Sequence, residues 1–219
     1  MAVREKFQSD LRELERMLME LGVFADTALR NSIEALETKD TGKAITIVEK
    51  DKLANKLHEK IKDFAVLLNA KQAPVATDLR RIITGIKIAD NIERIADFAV
   101  NIARSAIKIG NKEHIKPLNR IKKMYELASV MLKMALEAYH HEDTRTAKKI
   151  VVMDDEVDVL YDQTVLELLG HYQEDRKATV QIIQLLLVAR YLERAADHVT
   201  NIAEHIIFLV KGKRYGLNG

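Results

Sequence analysis

The chain has 219 residues, with 35 basic and 33 acidic side chains, a formal net charge of +2, and no cysteine or tryptophan. The near balance of charge excludes the broad positive footprint that nucleic acid or an anionic membrane selects. The missing cysteine excludes disulfides, thiolate metal sites and cysteine nucleophiles, and it permits a reducing compartment. With 47% hydrophobic and 31% charged residues but only two prolines and eight glycines, the composition suits long amphipathic helices in an all-α fold.

The start, Met1 to Phe7, mixes acids and bases where a signal peptide needs an apolar run. The longest apolar stretch, Ile182 to Ala189, is interrupted by Gln184 and falls far short of the ~20 residues that span a bilayer. A soluble, cytoplasmic protein is expected.

From Phe7 to Glu37, Leu11, Leu14, Leu18, Leu21, Ala25, Leu29, Ile33 and Leu36 recur at three- and four-residue steps, predicting a first long helix. Asp40-Thr41 supplies cap-type side chains for a second helix, which runs through Val48, Leu57, Ile61 and Leu68 and is expected to stop near Asn69. Pro74 marks the next turn. A third helix, capped by Thr77 or Asp78, continues through Ile88, Ile92, Ile95 and Ile102 to Gly110, a residue suited to a helix stop. The polar segment Asn111 to Pro117 reads as a hinge.

The second half repeats this plan. Leu29, Ile33, Asp40, Ala44, Asp51 and Leu57 return 103 positions later as Leu132, Leu136, Asp143, Ala147, Asp154 and Leu160. In the third helices the offset is 100, so the loop before the sixth helix is three residues shorter. Residues 1–110 and 117–211 are therefore read as two tandem antiparallel three-helix bundles related by an internal repeat. A single six-helix bundle with one core is the alternative. Leu209 to Gly219, rich in Lys and Gly, reads as a frayed tail.

The sharpest internal match is Glu93-Arg94-Ile95-Ala96-Asp97 with Asn101, which returns as Glu193-Arg194-Ala195-Ala196-Asp197 with Asn201. A helix advances about 100° per residue, so Glu93, Asp97 and Asn101 form one narrow stripe beside Asp90, turned away from Ile88, Ile92 and Ile95 and read as accessible. Glu193, Asp197, Asn201 and Glu204 repeat it. The second helix of each half carries a smaller version, Asp51 with Asn55 and Asp154 with Asp158. If the second and third helices pack antiparallel, two rows of oxygen ligands flank one groove, and a cation between them offsets the like-charge cost of ~0.2–0.5 kcal/mol per pair. Carboxylates and amides suit hard cations such as iron(III), manganese or magnesium better than zinc.

Other features carry less. His198 is read as half-exposed and off the stripe, His140-His141 as solvated, Arg80-Arg81 as surface charge, and the alanines of the third helices as close-packing residues. Met17, Met19, Met124, Met131 and Met134 read as gap-filling core or a partner-helix surface. No Gly-rich phosphate loop, nucleophile elbow or His-Glu-x-x-His zinc helix is present.

In these residues the chain resembles the PhoU family, whose mark is a duplicated Glu-Arg-Ile-Gly-Asp motif on the third helix of two three-helix bundles. Ala73-Pro74-Val75-Ala76-Thr77-Asp78-Leu79-Arg80 is similar to a further family segment, while the second half has Ala178-Thr179-Val180 there. Both motifs carry alanine in place of the common glycine; Asn55 replaces the acid found at Asp158, and Arg190 replaces Asp90.

The resemblance implies a non-enzymatic cytoplasmic homodimer that binds multinuclear metal clusters, iron first, with manganese, magnesium or zinc as alternatives. Its ligands would be Asp51, Asp90, Glu93, Asp97 and Asn101 in one half and Asp154, Asp158, Glu193, Asp197 and Asn201 in the other. It further implies regulation of phosphate uptake and starvation signalling, as a negative adaptor on the phosphate ABC importer and its sensor histidine kinase. No nucleic-acid partner is implied, and the membrane is reached only through those partners. A carboxylate-bridged metalloenzyme and a metal-free helical adaptor are the competing readings.

Overall fold

The computed structural model describes residues 2–72, 76–174 and 178–213. Six helices follow in order: α1 Ala2–Thr38, α2 Thr41–Gln72, α3 Ala76–Ile109, α4 Asn119–His141, α5 Thr144–Glu174 and α6 Thr179–Lys211. The fold is all-α, two tandem three-helix bundles. Helix α1 starts before Phe7, and α2 continues past Asn69 to Gln72. The turn expected at Pro74 lies outside the described residues.

The first turn of each half is built alike. Lys39 adopts a left-handed φ of 59°, with Asp40 N donating to Ala35 O (2.9 Å) and Lys39 N to Leu36 O (3.4 Å). Glu142, with φ of 52°, repeats this, Asp143 N donating to Ala138 O (2.9 Å) and Glu142 N to Tyr139 O (3.3 Å). Both are Schellman-type helix ends, which satisfy last-turn carbonyls. The expected cap follows: Asp40 Oδ1 accepts from Lys43 N, and Asp143 accepts from Arg145 N and the Thr146 hydroxyl. Gly110 ends α3 at φ 66°, its N–H donating to Ala106 O.

Helices α3 and α6 form the centre. Helix α3 packs on α1, α2 and α6, and α6 on α3, α4 and α5, while α1 also meets α4. Helices α2 and α5 form the flanks, each touching, among the described residues, only helices of its own half. One hydrophobic core runs through all six helices. Ala89, Ala96, Ala99 and Ala103 in α3, and Ala189, Ala196 and Ala203 in α6, are buried at these crossings, where small side chains let helix axes approach. Met17, Met124 and Met131 are fully buried, as the gap-filling reading expected.

The expected hinge is pinned. Gln181 of α6 accepts from Ile115 N (2.6 Å) and donates to Glu113 O (2.9 Å), His114 Nε2 meets Leu36 O (2.9 Å), and buried Lys116 pairs with Glu167. Its backbone groups thus have fixed partners inside the fold. The frayed tail also needs correcting: α6 extends to Lys211 and Leu209 is buried core. Residues 214–219 lie outside the described set.

Candidate functional site

The acidic rows face one another across helix pairs within each half. In the first, Asp51 of α2 raises the pKa values of both Glu93 and Asp97 of α3, in each case adding to a larger effect of burial. In the second, burial and then Asp197 push the Asp154 carboxyl up to about 6, and burial followed by Asp197 pushes Glu193 up to about 7. Asp197 is raised by burial and by Asp158. Two like-charged rows thus share one groove in each half.

The stripes are accessible only in part, where their angle to the hydrophobic seam had suggested open outer faces: the glutamates are covered, while Asp97 is half-buried and Asp197 exposed. Glu193 is almost entirely buried and the Glu93 side chain largely so. The physical reason is the central position of α3 and α6: a helix covered on three sides has little solvent-facing surface, and its polar stripe is turned toward the flanking helix. Beyond the glutamates the stripes are freer: Asp197, Asn201 and the facing Asp158 are exposed, Asp97 is half-buried, and Asn101 accepts from Arg104 (3.2 Å).

The motif arginine neutralises part of this charge. Arg94 lies 3.6 Å from Glu93 and 3.2 Å from Asp97. In the second half Arg190 pairs with Glu193 at 2.5 Å and sits 5.7 Å over the Tyr161 ring. The corresponding pair in the first half is Asp90 with His58, bonded at 2.9 Å, with Lys62 at 3.8 Å from Asp90. Sequence reading missed His58, although its place seven residues after Asp51 puts it on the same helix face.

His198 is no part of either groove. Its Nδ1 donates to Asn91 Oδ1 at 2.8 Å across the α3–α6 crossing, while Asn91 Nδ2 donates to Lys87 O. Burial, then Arg194 and Arg94, lower its pKa. Its repeat-related counterpart is Phe98, and that of Asn91 is Tyr191; Phe98 and Tyr191 stack at 6.1 Å. Two other residues read as solvated make contacts between halves: His140 pairs with Glu15, and Arg81 with Glu142 at 2.7 Å.

Whether the rows fit a cation is tested by their orphaned atoms. Asp51 Oδ1, Asp154 Oδ1 and Glu193 Oε2 are buried without a hydrogen-bond partner of good geometry, an arrangement costly for a carboxylate, although the Thr200 hydroxyl, itself unpartnered, lies beside Asp154 and lowers its pKa. All three are hard oxygen donors at the ends of short side chains. Among the described residues no three His, Asp or Glu stand close enough to hold an ion. The donor chemistry suits a hard cation, while the spacing of the carboxylates does not form a ready ligand set.

Beside the first groove, Phe24, Ala28, Asn31, Ile47, Asp51 and Val100 line an apolar recess of about 280 Å³. The corresponding positions of the second half include Met131, Met134 and Met153, all packed into or against the core.

With this geometry in place, the comparisons decide the relationship. A profile for the PhoU domain matches residues 18–106 and again 121–206. The chain belongs to the PhoU family. A PhoU homolog of Clostridium acetobutylicum, described as a phosphate-specific transport system accessory protein, is 36% identical over 98% of this chain and 99% of its own. The crystal structure of PhoU from Pseudomonas aeruginosa superposes with a TM-score of 0.90 at 30% identity, covering 94% of this chain and 100% of that one. The phosphate transport system regulatory protein PhoU from Streptococcus pneumoniae reaches 0.90 at 26% identity, covering 96% and 100%. The PhoU repeat thus coincides with the doubled motif, one acidic groove to each match. No described helix is long and apolar enough to cross a membrane.

Proposed function

We propose that this PhoU-family protein is a cytoplasmic, non-enzymatic regulator of phosphate uptake, acting on the phosphate ABC importer and its sensor kinase as a homodimer whose docking surfaces depend on metal held in two acidic grooves. The observation that carries the metal reading is the pair of facing carboxylate rows with buried, unpartnered oxygens at Asp51, Asp154 and Glu193. Asp51, Glu93 and Asp97 would hold one centre, with Asp90 and Asn101 at its ends, and Asp154, Asp158, Glu193 and Asp197 the other, with Asn201 outermost. Oxygen donors favour iron(III), manganese or magnesium. A bound cation would supply the positive charge that offsets the repulsion of the two rows, a charge that Arg94 and Arg190 now supply in part. A metal-free adaptor is the second reading, supported by the arginines that already neutralise the rows.

Elemental analysis of protein purified without chelator distinguishes these readings. The metal reading expects Glu93→Ala/Asp97→Ala and Glu193→Ala/Asp197→Ala each to lose the metal of one half. Equal, near-zero metal in wild type and both variants overturns it. The regulatory reading expects cells lacking the protein to take up phosphate without restraint in phosphate-rich medium, and unchanged uptake overturns that.

A further inference from the structure

The outer face of α5 carries an apolar row at positions where α2 is charged, although α2 also exposes Leu53, Val66 and Leu67. Val152, Val159 and Leu166 stand at seven-residue steps, 69%, 54% and 71% exposed, and Leu169 extends the row at 46%. The corresponding residues of α2 are Glu49, Lys56, Asp63 and Val66. Both helices occupy the same place in their bundles and, among the described residues, touch only helices of their own half. The fold therefore accepts charge at these positions, and the three large apolar side chains of α5 are not required by packing.

Apolar residues every seven positions on a helix make a strip that a second helix can pack along. The alternate row of this strip reads Lys148, Asp155, Asp162 and Leu169, all exposed, with the two carboxylates at its middle. An apolar strip interrupted by two carboxylates selects its occupant by charge.

We propose that this seam docks a basic amphipathic helix of another protein, with aliphatic side chains against Val152, Val159 and Leu166 and Lys or Arg against Asp155 and Asp162. A second copy of α5 fits poorly: a parallel pairing sets aspartate against aspartate, and an antiparallel one sets it against valine or leucine. An anionic membrane meets the same repulsion. The inference concerns an exposed face of α5 and does not require metal in the grooves, although Asp158 of the second row lies between Asp155 and Asp162 on the same helix.

The probe is a labelled synthetic helix with leucine at one seam position and lysine at the other, titrated with the full-length protein by fluorescence anisotropy at low and high salt. A counterpart with glutamate in place of lysine is the control. The lysine helix is expected to bind and the glutamate helix not, with affinity falling as salt rises. Val159→Glu/Leu166→Glu should weaken binding by about tenfold or more, with the helical circular dichroism unchanged. Asp155→Lys/Asp162→Lys should reverse the preference toward the glutamate helix. Equal binding of both helices, or indifference to either double substitution, overturns the proposal. Two other results also overturn it: a wild-type dimer that Val159→Glu/Leu166→Glu dissociates in sedimentation makes a second copy the occupant, and wild-type binding to phosphatidylglycerol vesicles that the same variant loses makes it a membrane.

Discussion

The two repeats share a backbone plan and differ wherever side chains are free to choose. Their first turns place a left-handed residue, Lys39 or Glu142, at the same position, with the same pattern of backbone bonds and an aspartate after it as cap. At the α3–α6 crossing, by contrast, equivalent positions give a hydrogen bond between Asn91 and His198 on one side and a stack of Phe98 on Tyr191 on the other. At the groove ends, Asp90 with His58 corresponds to Arg190 with Tyr161. The lesson is that backbone demands preserved the repeat while side-chain chemistry diverged around it, so the two grooves need not behave alike.

The largest expected effect breaks the crossing. Phe98→Ala removes a buried ring that meets Tyr191, His198 and the Arg194 guanidinium, and should cost about 3–5 kcal/mol in urea unfolding. Its counterpart on the polar side, Asn91→Ala, should cost about 1–2 kcal/mol, because it leaves His198 without its acceptor. Similar costs for the two would show that the crossing is held by general packing rather than by these pairs.

Next comes the response to pH, in which the second groove should dominate. A carboxyl with a higher pKa in the fold than in the unfolded chain makes the fold bind protons more tightly, so stability falls as pH rises through the interval between the two values. For Glu193 and Asp154 that interval runs from about 4, the unfolded value, up to about 7 and about 6 respectively. Chelator-treated protein should therefore melt at a lower temperature at pH 8 than at pH 5.5. Glu193→Gln should flatten this slope more than Glu93→Gln does, and an equal flattening would remove the asymmetry.

A smaller effect tests the recess beside the first groove. Ala28→Met installs the residue found at Met131 and should raise stability by about 1 kcal/mol if the side chain fills the space by Ile47 and Val100. A loss would show overpacking. The smallest effect is expected at the exposed pair of Lys39 and Glu113. Glu113→Ala should change stability by less than about 1 kcal/mol, since the linker is also held through Gln181 and His114.

Much of this was legible in the residues. Three- and four-residue apolar steps gave the six helices, the offsets of 103 and 100 gave the repeat, and Asp40 and Asp143 marked the second helix of each half. The doubled Glu-Arg-x-Ala-Asp motif picked out the rows that the structure brings face to face. Helix ends were less legible: Leu209 looked like tail because Lys and Gly follow it, yet packing against the core holds its turn in the helix.

The sequence by itself determined the helices, their duplication and the residues of the two acidic rows, because periodicity and spacing are properties of a single helix. Only the tertiary structure decided that α3 and α6 lie at the centre, that Glu93 and Glu193 are therefore covered while Asp197 stays exposed, and that His58, Arg190 and the Asn91–His198 pair stand beside the rows. Those facts depend on which faces meet. A helix's own pattern says that it has an apolar side, but not how many neighbours will cover the rest.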